Sequence, residues 1–242
     1  MNPAVCLGVG NDVSDPVQVN PPEVSSAEDA VRGVVATAEF WNARHQELGY
    51  LRSGGDAGRD EASNEILYAV RLGRLIDIVG DQCAPAAPLR ILDAGCGKGW
   101  FTRRVASFGH RVDGIDVSEH AISLCRQQAV GQERYAVSRL DQWRPPCLYD
   151  VVYCIDVLFH VMNDQVWEAS LRNIASLVRW GGTLTVTEHE ADVTRTWADY
   201  QCTRALSRYR KILESQGFVE RGFIPYGFRS GPVGFLVMAR SG

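Results

Sequence analysis

Apolar and polar positions follow two different periods along this chain. Val31, Val34, Val35, Ala38 and Trp41 recur every three or four residues, which predicts a helix from about Ser26 to about Leu48. Ile66, Leu67, Val70, Leu72, Leu75, Ile76 and Val79 repeat that spacing and predict a second helix ending near Gly80. From Leu89 the period shortens. Ile91-Leu92, Val112 to Ile115, Arg134 to Ser138, Val151 to Ile155 and Thr183 to Thr187 are short strand-like runs. Between them lie helical patterns: Phe101, Val105 and Phe108, then Ala121, Ile122, Cys125 and Ala129. A further one runs from Asp164 through Arg179, with Gly181-Gly182 as its expected stop. A long helix is expected over about 196 to 216, followed by two closing strands, Phe218-Val219 onward and Gly234 to Ala239. Strands alternating with helices, with two strands last, predict an α/β fold with a doubly wound, mostly parallel sheet.

Residues 1–26 break the pattern. Pro3, Pro16, Pro21 and Pro22 stand among Asn, Asp and Ser without apolar periodicity, so this stretch is expected to be a flexible tail. The expected organisation is therefore a tail over 1–26, a helical segment over 27–84 and the α/β domain over 85–242. Within the middle segment, Tyr50, Arg52 and Ser53-Gly54-Gly55 mix aromatic, cationic and hinge residues without a period. This is either a surface loop or a lid able to close over a ligand. Arg71 and Arg74 either reach a ligand carboxylate or, the plainer expectation, stand solvated on an exposed helix face.

Composition narrows the partners. The 242 residues carry 25 Lys and Arg against 29 Asp and Glu, a net charge of −4, with no long basic run. That balance argues against a nucleic-acid partner. No apolar run is long enough to span a membrane, and the start of the chain lacks the basic and apolar pattern of a secretion signal. Seven scattered cysteines show no metal-type pairing, which suits reduced thiols and a cytoplasmic location. A homo-oligomer is left open.

Candidate chemistry is concentrated in Leu89-Arg90-Ile91-Leu92-Asp93-Ala94-Gly95-Cys96-Gly97-Lys98-Gly99-Trp100. It reads as strand, tight glycine turn, helix. Glycine allows positive φ and a close approach of ligand to backbone. The helix start behind the turn offers free N–H groups. A dinucleotide fingerprint would need its third glycine at the sixth position, where Trp100 stands; the spacing here is G-x-G-x-G with an acid two residues ahead. The second strand ends at Asp116, about 20 residues beyond the glycine turn, where an acid can accept hydrogen bonds from ribose hydroxyls. Ser118 is the expected N-cap of the following helix.

These residues resemble motifs I and II of the class I S-adenosylmethionine-dependent methyltransferases. Asp150 to His160 also resembles their motif IV, D-x-V-x-x-x-x-V-L-x-H. The resemblance covers roughly residues 85 to 240. It implies a Rossmann-like fold of seven strands with the last antiparallel, an N-terminal helical lid, S-adenosyl-L-methionine as cofactor and a small-molecule acceptor. It implies that Asp93, Gly95, Cys96, Gly97 and Gly99 wrap the methionine part, with Asp116 and Val117 at the adenosine. The acid usual after the third strand is displaced: Arg139 stands in its place, so either Asp141 or the backbone of Leu140 meets the adenine. Cys154 to His160 is expected to face the cofactor crevice, because ligands of open α/β sheets sit at strand carboxyl ends.

The sulfonium already activates the methyl group, so the protein must align an acceptor and, for a hydroxyl, remove a proton. Imidazole suits that task. His160, after the fourth strand, and His189, after the fifth, are the candidate bases; His45, His110 and His120 are poorer ones. Tyr50, Arg52, Glu188 and Glu190 are expected to touch the acceptor. Alternatively Asp156, Glu188, Glu190 and Asp192 gather a hard cation, although no metal site is expected. The expected reaction is O-methylation of a small molecule, of sugar, glycoside or natural-product type. The alternatives are N-methylation and a nicotinamide-dependent oxidoreduction.

Overall fold

The computed structural model describes residues 27–80, 87–197, 200–228 and 231–241. The expected tail over 1–26 and the expected boundary at 84 and 85 lie outside the described residues. Two helices come first, α1 (Ala27–Glu47) and α2 (Glu61–Gly80). Five strands and the helices between them follow: β1 (Arg90–Ala94), α3 (Trp100–Ser107), β2 (Arg111–Asp116), α4 (Glu119–Gln127), β3 (Arg134–Val137), β4 (Tyr149–Cys154), a 3-10 turn over Leu158–His160, α5 (Asp164–Ser176) and β5 (Val178–His189). The chain closes with β6 (Arg195–Trp197), β7 (Gln201–Thr203), α6 (Leu206–Glu214), β8 (Phe218–Pro225) and β9 (Val233–Arg240).

The main sheet has seven strands in the order β3-β2-β1-β4-β5-β9-β8. The first five pair in parallel, and β9 runs antiparallel to both neighbours. Alternate side chains of each strand go to opposite faces. Leu92, Val152, Leu184 and Leu236 pack with Trp167, Leu171, Tyr209 and Leu213 of α5 and α6. Ile91, Val112, Val151 and Phe235 pack with Leu75 and Ile78 of α2 and Phe101 and Val105 of α3. The strand order reverses between β1 and β4, so the loops after these two strands diverge and open a crevice at their carboxyl ends. This is the expected doubly wound sheet.

Two local expectations are corrected. α5 ends at Ser176, and β5 begins at Val178, opposite Tyr149. Gly181 and Gly182 lie inside that strand rather than stopping a helix. A Cβ on Gly182 would stand 2.7 Å from the Asp150 carbonyl, so glycine lets β5 approach β4 after the register shift. The expected long helix over 196 to 216 is instead a β6–β7 hairpin followed by the shorter α6. Thr196, Trp197, Cys202 and Thr203 suit strands, and Arg204 then pins the chain.

Arg204 is fully buried. Its guanidinium donates to Asp164 Oδ1 at 2.9 Å, Val161 O at 2.8 Å, Met162 O at 3.1 Å and Cys202 O at 3.3 Å, and lies over Trp167. Replacing it by Arg204→Ala leaves three carbonyls without their donor and opens a hole beside Trp167. The variant is expected to lose about 3–5 kcal/mol of stability, read as a lower urea midpoint. A midpoint within experimental error of the parent would contradict this account of the pin.

Candidate active site

The glycine turn forms the floor of the crevice. Gly95 and Gly97 adopt φ of +92° and +50°. The N–H groups of Gly95 and Cys96 both donate to Ile115 O, at 2.8 and 2.9 Å, folding the turn back over β2. A Cβ on Gly95 would overlap the Val157 side chain, so the turn after β1 and the segment after β4 are in contact only because that position is bare. A Cβ on Gly97 would press against the His45 ring at 3.4 Å. Gly99 instead faces Arg103, Cys125 and Tyr135 behind the turn.

One cavity runs from this turn along the strand ends. Its walls include Gly95, Gly97, Asp116, Val117, Ser138, Leu140, Asp141, Val157 and His160. Asp116 Oδ2 accepts from Gly97 N at 2.9 Å, and Oδ1 accepts from Ser118 N at 2.9 Å. Each carboxylate oxygen keeps acceptor capacity for a ligand hydroxyl. Burial pushes the Asp116 carboxyl above its usual range. Ser118 caps α4 as expected, accepting from Ala121 N. Arg139 holds Asp141 in a two-point ion pair at 2.6 and 2.9 Å, and Leu140 O accepts from Asn173 at 2.6 Å.

A narrow crevice continues on the other side of the turn, bordered by Asp93, Cys96, Lys98, Tyr50 and Arg71. Asp93 is buried and accepts from Thr102 Oγ1 at 2.6 Å. Burial pushes its carboxyl up to about 7. The Cys96 thiol packs with Cys125 and Tyr135. Cys154 lies in the α5-side core, outside these walls. The loop after α1 clasps the glycine turn: Tyr50 Oη donates to Lys98 O at 3.2 Å, and Lys98 Nζ donates to Leu48 O at 3.0 Å. Arg52 is tied to Ala57 O within that loop and is not among the walls of either of these cavities.

Several site residues escape a reading of the sequence. Thr37, Trp41 and His45 stand at i, i+4 and i+8 of α1 and roof the cavity. Their spacing was visible, but the same spacing marks an ordinary core face. His45 is buried, its Nδ1 has no hydrogen-bond partner among the described residues, and burial pushes its imidazole down to about 4. Arg71 is buried, not solvated; Arg74 is the exposed one. Arg71 forms an ion pair with Asp156, and its Nε has no partner among the described residues. Asp156 has φ of +55°, unusual outside glycine.

A second cavity adjoins the first through Trp41, Asp156 and His160. His160 Nδ1 lies 2.8 Å from Tyr200 O. A carbonyl accepts only, so Nδ1 carries the proton and Nε2 presents a lone pair. Burial lowers the His160 pKa. His189 lines the second cavity alone, with Nδ1 near Glu188 Oε1 at 3.2 Å and Thr203 Oγ1 at 3.3 Å. Glu188, expected at the acceptor, is fully buried and accepts from Tyr209 Oη at 2.7 Å and Arg204 N at 3.3 Å. Glu190 is exposed, with its N–H on Pro232 O. Asp156, Glu188, Glu190 and Asp192 therefore do not converge. Among the described residues no group of three His, Cys, Asp or Glu is arranged for a metal ion, and no helix is long and apolar enough to cross a membrane.

Comparison with known proteins agrees with this geometry. Residues 91–182 match a family model described as a methyltransferase domain. The chain is 34% identical over 118 residues to a ubiquinone biosynthesis O-methyltransferase of Aeromonas salmonicida, covering 44% of this chain and 46% of that protein. It is 37% identical over 105 residues to the protein of that name from Ralstonia nicotianae, covering 41% and 42%. The matched stretch thus spans less than half the length of these curated relatives. A magnesium protoporphyrin IX methyltransferase from Synechocystis, solved with S-adenosylmethionine, superposes with a TM-score of 0.66 at 22% identity, over 86% of this chain and 97% of that one. A 1,6-didemethyltoxoflavin-N1-methyltransferase from Burkholderia thailandensis gives 0.65 at 18% identity, over 94% of both chains. The glycine turn, the acid after β2 and the seven-stranded order thus belong to a chain whose residues 91–182 match a methyltransferase domain and whose fold is shared with solved methyltransferases.

Proposed function

We propose that this protein transfers the methyl group of S-adenosylmethionine to a hydroxyl of a small molecule, with His160 as general base. The observation that carries this reading is the position of His160. It borders both cavities, with Nδ1 fixed on Tyr200 O and Nε2 left as acceptor.

The residues fit the cofactor. Asp116 is placed for ribose hydroxyls, and Ser138, Leu140 and Asp141 form a wall for the base. The positive φ of Gly95 and Gly97 folds the turn along the cavity floor, where the methionine chain would lie. Arg71, whose buried Nε lacks a partner among the described residues, borders the crevice where an α-carboxylate would end. When bound, the cofactor supplies a methyl carbon that forms the new C–O bond as its C–S bond breaks, the electron pair leaving on sulfur. His160 takes the hydroxyl proton on Nε2, and the carbonyl at Nδ1 orients the ring and steadies the resulting imidazolium. The α1 stripe of Trp41 and His45 excludes water from the cofactor side.

Sugar hydroxyls lose the support that suggested them, because Glu188 is committed to Tyr209 and Arg204. N-methylation is the second reading, and the need for a base separates the two: an amine already neutral at working pH needs none.

Asp116→Ala is expected to weaken S-adenosylhomocysteine binding by about 10- to 100-fold, the loss of one or two hydrogen bonds to a charged group. Calorimetric titration reads this directly, and unchanged affinity would remove Asp116 from the site. His160→Ala is expected to cut turnover by about 10²-fold or more while leaving that titration nearly unmoved.

The pH profile supplies a third test. The neutral imidazole is the active form, and burial holds its pKa below the ordinary value of about 6.5. Turnover should therefore stay level through neutrality and fall only as the pH drops through the lowered pKa. His160→Ala should lack that acid limb; a limb that persists in the variant would assign it to another group.

A further inference from the structure

We infer that the methyl acceptor is a hydroxylated aromatic ring bearing an anionic group, seated in the second cavity with its anion toward Arg44. This rests on the methyl-transfer reading above and specifies its substrate class.

The walls supply the first argument. Phe40, Trp41, Phe159, Tyr200, Tyr226 and Phe228 all line this cavity. Phe40 and Tyr200 stack nearly parallel, with centroids 6.5 Å apart, and His160 stacks on Tyr200 at 6.0 Å. Trp41 meets His160 edge-on at 4.9 Å. Rings arranged this way favour a flat, apolar guest that can stack and meet edges. The proposed base stands among them, at the opening into the cofactor cavity.

The polar groups supply the second argument. A polyol needs many side chains with unused hydrogen-bonding capacity. Here most are engaged with one another. Asp56 is paired with Arg59 at 2.7 Å, Asp156 with Arg71, and His189 lies against Glu188 and Thr203. Gln201, Tyr200 and His160 remain, enough for a few hydroxyls on a ring.

Charge supplies the third. With Asp56–Arg59 and Asp156–Arg71 neutral as pairs, Arg44 is the charge left over on this wall among the described residues. It is partly buried and donates only to backbone carbonyls: Ser53 O at 2.8 Å, Gly55 O at 3.4 Å and Arg52 O at 3.5 Å. No described carboxylate lies within ion-pair distance of it. Its guanidinium lies 5.6 Å from the Trp41 ring centre, so a ring stacked along this wall would bring a carboxylate substituent to it. Among the described residues the half-buried guanidinium feels Asp56 only from beyond ion-pair distance, and an anionic guest would supply the contact pair.

The test uses the full chain saturated with S-adenosylhomocysteine and three sets of probes: dihydroxybenzoates, the matching neutral catechols, and methyl glucosides. Binding is read by quenching of tryptophan fluorescence and by calorimetry. Dihydroxybenzoates should bind about tenfold more tightly than catechols, the size of one charge-assisted hydrogen bond. Glucosides should not bind. Arg44→Met should erase the preference for the anionic ring, and Arg44→Lys should keep part of it. A thermal melt and the S-adenosylhomocysteine titration show whether each variant is folded. Should neither aromatic set bind, or glucosides bind better, or the preference survive in a folded Arg44→Met, the inference is overturned while methyl transfer stands. A parent chain that does not bind S-adenosylhomocysteine overturns both.

Discussion

The carboxylate of Asp156 is the constraint around which this site is built. It takes an ion pair from Arg71 of α2, a hydrogen bond from Tyr226 Oη at 2.9 Å just after β8, and one from Thr187 Oγ1 of β5 at 3.0 Å. Its own N–H donates to that same threonine oxygen at 2.6 Å. These partners come from three different parts of the chain, and all converge at the carboxyl end of β4. They explain how a non-glycine residue can be held in a left-handed conformation that costs about 1–3 kcal/mol. The turn so produced carries the backbone away from the sheet into the Leu158–His160 turn, which places His160 over the crevice. A buried ion pair is weak evidence of net stability. Its value here is positional: it locks α2, a helix outside the strand–helix repeat, to the strand end that carries the proposed base.

The same logic covers the opposite side of the crevice. α1 is anchored on α4 through Asn42 Oδ1, which accepts from Ser118 Oγ at 3.1 Å and His120 N at 3.0 Å. It is anchored on the following loop through Arg44 and, by way of Leu48 O, on Lys98 of the glycine turn. The glycine turn therefore has α1 and its loop as a lid, held in part by polar bonds among the described residues. Such contacts open at lower cost than a packed core. That is what a cavity needs if a ligand roofed by Trp41 and His45 is to enter and leave.

The part of the fold legible in the sequence was the part governed by periodicity. Short apolar runs at parallel strands and three-to-four spacing at helices placed β1 to β5 and the helices between them. The glycine turn and Asp116 were legible because their chemistry requires particular residue types at fixed spacing. What could not be read depended on partners distant in sequence. Arg71 and Arg74 look alike in a helical pattern, yet one is buried and the other exposed, because only Arg71 meets Asp156, 85 positions later. Glu188 looked like a site acid until Tyr209 and Arg204 took it. The β6–β7 hairpin was hidden because its strands are three residues each, too short to show a period.

The choice between the two strand-end histidines follows from the same distinction between pattern and partner. Both stand where the sheet topology puts catalytic groups. His189 has its Nδ1 between Glu188 and Thr203, which would also leave Nε2 as an acceptor, so tautomer alone does not separate them. Location does. Phe159 stands edge-on between the rings, 4.7 Å from His160 and 5.7 Å from His189, and only His160 reaches the wall of the cofactor cavity. In the proposed reaction a proton leaves the acceptor oxygen as that oxygen meets the methyl carbon, so the base must reach the place where the two cavities join. A histidine confined to the far cavity can hold an acceptor in place, and the proposed reaction asks no more of His189 than that.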